Sequence, residues 1–566
     1  MSASNKASLV PAAKKPPGRT WLYIAIALTV LKLWLTRGQP IFAIGPAAID
    51  DRLFLRLANS ILDGDWLGQY DNLTLAKGPF YPLWVAFVFL TGLPLRLAEQ
   101  LAYIGAAIFL VNALSPHLKS RWSQVIAYLM LIWNPMTYEM ETLGRILRQN
   151  IYTTNALIIF ALTITLYNRR SDPGRRVYPC AIALGLSFGC FWLTREESIW
   201  MLPSCIILLS AIVLGSWITS RLKEFKKMLT ASGLAVVFAL VPILIVSSLN
   251  LHYYGWFGTV EYRAKEFNDA YGALLRVKVG PEIPFVPVPR QTREAIYPFS
   301  PTFSKVKPHL EGETGRVWSK ICEWITHLPP EELQMAGGWF MWALRDTVTA
   351  AGHTHNAGEA MAFYRQMAVE INAACDDGRL QAGPRRSGFL PPWKEGQTMS
   401  LLKTWGEFTS FFVTFKGFNA ITPPSMGNDD LLTLFRDLTG ERTSISPDGV
   451  FKLPRQHQLG EWKSKKLQSI GLYVSKLYTG LIALAHLGLI YQLAMLIVKR
   501  RATYLFWVAL SAWGACAACL LINALVHLTS FPTLTSGSFA PAYPLAILFI
   551  IAVAADLGER LRSRSA

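Results

Sequence analysis

Long apolar runs separated by short polar breaks dominate the chain from Trp21 onward. Roughly 20 apolar residues carry a helix across a bilayer. Runs on that scale, or somewhat short of it, lie at Trp21–Thr36, Leu101–Leu114, Trp122–Trp133, Ile151–Leu166, Val177–Leu193, Ile199–Trp217, Leu229–Leu249, Ile470–Ile497, Tyr504–Val526 and Pro541–Ala555. Another run, Phe80–Leu93, is short and bracketed by Pro79, Pro82 and Pro94, which predicts a re-entrant or in-plane helix. The basic breaks decide this. With Phe80–Leu93 not crossing, His117–Arg121, Arg169–Arg176, Arg221–Lys227 and Lys499–Arg501 all fall on the side of the basic N-terminal tail, as cytoplasmic segments do. The pattern therefore predicts an all-α polytopic membrane protein of about ten transmembrane helices.

The expected order is a cytoplasmic basic tail at 1–19, a transmembrane core at 20–249 with a first outer loop at 38–100, and an extracytoplasmic domain at 250–468. C-terminal transmembrane helices at 469–556 and a cytoplasmic basic tail at 557–566 follow. Trp318, Trp324, Trp339, Phe340 and Trp342 predict a packed, mixed but mainly helical outer domain. No internal repeat is evident, which argues against an inverted-repeat transporter.

Composition adds little to this picture. Of the 566 residues 52% are hydrophobic and 16% charged, against about 25% charge in a soluble domain. The formal charge of +18 raises nucleic acid as a partner. Its Lys and Arg flank the apolar runs, and no nucleic-acid-binding motif accompanies them, so no nucleic acid is expected. Cys516 and Cys519 form a C-x-x-C inside a span, where packing explains them; Cys322 and Cys375 lie in the outer domain and could pair in an oxidising compartment.

Candidate chemistry gathers on the outer side. Asp50–Asp51 follows the first span, and Arg52–Asp63 reads as an amphipathic interfacial helix. Acids at a helix start favour the helix dipole; alternatively they supply a base for an acceptor hydroxyl, or metal ligands. Lys77 in Ala76–Lys77–Gly78–Pro79 sits on a fixed turn at headgroup level, which suits a phosphate or ordinary lipid snorkelling. Arg145 and Arg148, three apart, would share one face of a helix and suit a lipid phosphate, or pair with Glu139 and Glu141. Thr194–Arg195–Glu196–Glu197 places three charges on a tight hairpin, either a solvated tip or a site with Arg195 a phosphate contact held by Glu196 or Glu197. Secondary candidates are Tyr262 and Arg263, where an aromatic belt is the alternative, and Arg385–Arg386. His353–Thr354–His355 is an isolated metal-like pair, and Asn72–Leu73–Thr74 matches a glycosylation sequon.

Asp50–Asp51, the amphipathic segment, the Lys77–Gly78–Pro79 turn and a large outer domain after the seventh span together resemble the GT-C superfamily of polyprenyl-phosphate-sugar glycosyltransferases. The protein-mannosyltransferase, aminoarabinose-transferase and arabinofuranosyltransferase branches are most similar in the membrane half. The resemblance implies a polyprenyl-phosphate-linked sugar as donor and an acceptor hydroxyl on a glycan, glycolipid or protein. One Asp of the pair would be the base, and Lys77, Arg195 and Arg145 or Arg148 would stabilise the departing lipid phosphate. Superfamily members differ in metal dependence, so no metal is predicted, although a divalent ion on Asp50 and Asp51 is compatible. The expected setting is a bacterial inner membrane with the site on the periplasmic face. A transporter or flippase of a lipid-linked saccharide and a non-catalytic membrane scaffold with a binding ectodomain are the alternatives. The transporter would show charges inside the spans, where the sequence offers mainly Lys32.

Overall fold

The computed structural model describes residues 19–218, 222–352, 354–444, 455–500 and 502–565. The expected tail at 1–18 and His353 lie outside the described residues. The described chain is helical, with isolated β-bridges and no sheet. In chain order its first half forms α1 (Thr20–Thr36), α2 (Asp51–Leu62), α3 (Phe80–Thr91), α4 (Leu95–Leu114), α5 (Arg121–Ile132), α6 (Met140–Leu143), α7 (Gln149–Asn168), α8 (Gly174–Trp192), α9 (Leu202–Ile218) and α10 (Leu222–Tyr254).

Among the described residues, seven helices are long and apolar enough to cross a bilayer: Leu95–Leu114, Gln149–Asn168, Ser198–Ile218, Leu222–Tyr254, Arg455–Val498, Tyr504–Thr529 and Ser536–Arg562. The other three predicted spans are α1, α5 and α8, of 17, 12 and 19 residues. Helix α3 has 12 residues and ends on Gly92 in the left-handed region. At about 1.5 Å per residue it falls well short of the roughly 30 Å apolar core, as does the equally long α5.

One expectation is corrected. Helix α4 begins at Leu95 rather than Leu101, so a span carries Arg96, Glu99 and Gln100, all buried. They are tolerated because each has partners: Arg96 donates to the carbonyls of Gln39 (2.7 Å) and Pro40 (3.1 Å), and Glu99 accepts from Tyr81 (3.2 Å) and Asn150 (2.8 Å). The spans are thus less charge-poor than their hydropathy indicates. Part of the stretch 250–468 packs on the bundle. Helix Gln397–Val413 packs on Tyr504–Thr529 through Trp405 Nε1, which donates to the Ala517 carbonyl (3.1 Å), and the rings of Phe412 and Phe415 lie tilted against Tyr543. Strand-like contacts join Ile41 to Thr443 and Ile44 to Met426.

Gly185 and Gly189, one turn apart on α8, let α10 approach closely. A Cβ on Gly185 would lie 2.3 Å from the Ala235 carbonyl oxygen, and one on Gly189 2.6 Å from that of Ala239. The outer lobe has its own core around Phe267, Tyr271, Phe340 and Tyr364. Trp318 and Trp342 are buried as expected, whereas Trp324 stands out in solvent. Cys322 and Cys375 are buried and free.

Candidate active site

Helix α2 is amphipathic: Leu53, Phe54, Leu55, Leu57 and Ala58 are buried, while Arg56 reaches out to pair with Asp71 at 2.6 Å. This burial fixes the helix start, and with it the acid pair. The two acids then diverge, as adjacent side chains at a helix entry must. Asp51 is fully buried, and its carboxylate receives Nε (3.2 Å) and Nη2 of Arg145 together with the Ile146 backbone N–H (3.3 Å). Asp50 occupies the N-cap position but makes no capping bond. Its side chain is 43% exposed and is held by Lys77 Nζ. The helix-dipole explanation therefore accounts for neither carboxylate's partners.

The electrostatics follow from these contacts. Burial pushes the Asp50 carboxyl up, but Lys77, with Arg145 and Arg148 behind it, more than offsets this and brings it to about 2. Burial raises Asp51 above its ordinary value against the opposing pull of Arg145. Burial lowers Lys77, opposed chiefly by Asp50.

Lys77 is placed by its turn. Leu75 sits at φ 59, and a Cβ on Gly78 would fall 2.0 Å from the Leu193 carbonyl oxygen, so only glycine lets the turn close on the α8 terminus. The Nζ lies 5.1 Å from the Phe54 ring and 5.7 Å from that of Trp342. Beside it, Glu196 acts as a hub. Its carboxylate accepts from Arg148 Nη1 at 2.8 Å to each oxygen and from the Gly78 N–H at 3.1 Å. Arg148 also donates to the Thr194 carbonyl (3.0 Å), and Arg263 donates to the carbonyls of Arg195 (2.9 Å) and Glu196 (2.6 Å). Burial raises Glu196, but Arg148 and Arg263 bring it down to about 2. Arg195 pairs with Glu197 and lies 5.7 Å from the Tyr152 ring; its Nε is buried without a partner.

The fold thus brings Asp50, Asp51, Lys77, Arg145, Arg148, Arg195, Glu196, Glu197 and Arg263 into one connected network. Five cations face four carboxylates, an excess of one positive charge. Some sequence expectations needed revision. Arg145 and Arg148 do not share a helical face: the chain between α6 and α7 is bent rather than helical, and the two turn to different acids. Nor do they pair with Glu139, which caps Thr142 (3.0 Å), or Glu141, which accepts from Ser536 and Gly537 (3.1 Å each). Tyr262 packs against Trp342 and Phe267 (5.2 Å each), with its buried hydroxyl unpartnered. Arg385 pairs with Asp376, a residue it shares with Arg276, and Arg386 donates to the Leu390 carbonyl, so neither joins the network. His355 pairs with exposed Glu359. The Asn72 amide of the sequon donates to Asp346 at 2.9 Å.

The residues here do not fit a divalent cation. Both Asp51 oxygens are taken by Arg145, Asp50 is held by Lys77, and three further guanidinium groups stand in the same network, while no group of three His, Cys, Asp or Glu gathers among the described residues. Sequence reasoning missed Arg345 and Trp342 as neighbours of this site. Their only signal was spacing: Trp342, Arg345 and Asp346 share one face of the Gly337–Ala350 helix.

No protein-family model matches the chain, and no curated protein matches it. Among solved structures it is similar to ArnT from Cupriavidus metallidurans bound to undecaprenyl phosphate, at 12% identity and TM-score 0.32, covering 96% of this chain and 79% of that one. It is also similar to the arabinosyltransferase EmbB from Mycobacterium smegmatis (13%, TM-score 0.30, 84% and 42%). A third is the archaeal oligosaccharyltransferase AglB from Archaeoglobus fulgidus, in complex with an inhibitory peptide and a dolichol-phosphate (10%, TM-score 0.27, 79% and 69%).

Proposed function

We propose that this chain transfers a sugar from a polyprenyl-phosphate carrier to an acceptor hydroxyl at the extracytoplasmic face of a membrane, with Asp50 as the base. The observation that carries this reading is the contrast within the acid pair. Asp51 is buried and saturated by Arg145, whereas Asp50 is partly exposed and held by a single flexible ammonium. Asp51 on this reading is the anchor that orients Arg145 and α2.

In the reaction, the acceptor oxygen bonds to the anomeric carbon as its proton passes to the Asp50 carboxylate. The bond from that carbon to the phosphate oxygen breaks, and its electron pair leaves with the polyprenyl phosphate. That developing charge needs cations aimed at it in a region that solvates ions poorly. Lys77 is the first available: the donor phosphate draws Nζ away from Asp50, which removes the main influence holding its carboxyl near 2 and makes it a stronger base when substrate is present. Arg148 and Arg195, fixed by Glu196 and Glu197, supply charge that does not move. The acceptor is a glycan, glycolipid or protein hydroxyl, and the setting is the periplasmic side of a bacterial inner membrane.

The test is reconstitution in nanodiscs with a polyprenyl-phosphate-linked sugar pool and release of free polyprenyl phosphate read by mass spectrometry. Acceptor-dependent release by the wild-type chain and its loss in Asp50→Asn are expected; equal release by both proteins would overturn the assignment. A second reading, export of a lipid-linked saccharide, draws on the buried Lys32 and Glu99 within helices of the bundle. Transbilayer movement of intact lipid-linked sugar with no free polyprenyl phosphate would favour it.

A further inference from the structure

Helix Gly337–Ala350 of the outer lobe grips the first outer loop from above. Arg345 is 2% exposed and donates through Nε to Glu261 Oε2 at 2.7 Å. Its two terminal nitrogens donate to the carbonyls of Asn72 and Thr74, with Asp71 at 3.5 Å. Glu261 is fully buried, accepts the Tyr70 hydroxyl at 2.7 Å, and donates its own backbone N–H to the Leu75 carbonyl at 3.0 Å. One residue further along the helix, Asp346 holds Asn72 and the Trp318 indole (3.0 Å); one turn back, Trp342 faces the Lys77 ammonium. The loop from Tyr70 to Leu75 is thereby tied at Tyr70, Asp71, Asn72, Thr74 and Leu75, and Lys77 and Gly78 follow after Ala76.

A buried guanidinium is costly unless every donor is used. A simple tether between lobe and loop would need only the Glu261 ion pair. Here the fork instead ends on backbone carbonyls of the strained turn, where Leu75 is in the left-handed region. We infer that Arg345 is a positioning residue that sets the place of Lys77, so that the outer lobe, and not the membrane core alone, determines where the donor phosphate is held. This inference rests on the proposed role of Lys77. Placement of a charge to within about 1 Å is worth on the order of a hundredfold in rate, and a helix face with one cation–π contact and one guanidinium fork fixes both ends of that short segment.

The test compares Arg345→Lys with wild type and with Lys394→Ala, which removes an exposed ion pair elsewhere on the lobe. Lysine keeps the charge for Glu261 but loses the fork. Backbone hydrogen exchange in nanodiscs should rise across residues 71–78 in Arg345→Lys and stay unchanged across Ala357–Asp376, while kcat for donor turnover falls at least about tenfold. Tyr70→Phe, which leaves the ion pair in place, should give the same pattern at smaller amplitude and covers the case in which Arg345→Lys does not fold. Unchanged exchange across 71–78 would overturn the inference, as would raised exchange with unaltered kcat. If wild type shows no turnover of any lipid-linked sugar, the functional reading fails instead, and the exchange data alone decide whether Arg345 orders the loop.

Discussion

The two adjacent aspartates should separate cleanly when each is changed to asparagine. Asp51 is fully buried, and breaking a buried ion pair by removing one partner costs about 3–5 kcal/mol. Arg145 is 22% exposed, so water offsets some of the loss, and an asparagine oxygen still accepts one N–H. That leaves about 2–3 kcal/mol for Asp51→Asn. In a chain of this size about 2 °C accompanies each kcal/mol, so the apparent melting temperature should drop by about 5 °C. Asp50 is 43% exposed, which weakens its pair, but Lys77 is only 10% exposed and would lose its carboxylate; with an asparagine oxygen still accepting one N–H, the loss is about 1–2 kcal/mol. Asp50→Asn should melt about 2–4 °C below wild type, a smaller drop than Asp51→Asn. The catalytic order is the reverse. Loss of a general base costs about 10²–10⁴ in rate, so Asp50→Asn should be folded and nearly inactive. Asp51→Asn should retain measurable turnover per folded molecule. Thiol-reactive or intrinsic-fluorescence melts in detergent, paired with polyprenyl-phosphate release, check both. An Asp50→Asn protein that unfolds earlier than Asp51→Asn and still turns over donor would refute the division of labour.

Three further outcomes follow from the same geometry. Gly78→Ala places a methyl 2.0 Å from the Leu193 oxygen and must displace the Lys77 turn; it should abolish donor turnover while the protein still purifies as a monodisperse species by size-exclusion chromatography. Gly185→Leu should separate α8 from α10 and lower the melting temperature with Asp50 and Lys77 intact, because a Cβ there already meets the Ala235 carbonyl at 2.3 Å. Glu196 is held near 2 in the folded chain, below its ordinary 4.5, so it contributes stability above that ordinary value and loses it as pH falls from about 4.5 toward 2. Melting curves should therefore be insensitive to Glu196→Gln substitution in slope between pH 7 and 5, and the wild-type advantage should shrink below pH 4.5.

The sequence by itself determined the membrane character, the positions of most long apolar helices and the shortness of α3. These follow from local facts: run length against bilayer thickness, prolines at run ends, and Lys and Arg beside the breaks. It also pointed to Asp50, Asp51, Lys77, Arg145, Arg148 and Arg195 as candidates, each with an ordinary local explanation beside the functional one. What it could not give was the pairing. Arg145 meets Asp51 across 94 positions, Arg148 meets Glu196 across 48, and Arg345 meets Glu261 across 84. No periodicity encodes such partners, because they depend on how the lobes pack. The same packing makes Asp51 an anchor and leaves Asp50 reachable, though the two letters are identical and adjacent. Only tertiary burial, which charges each carboxylate a different desolvation cost and gives it a different cation, distinguishes them.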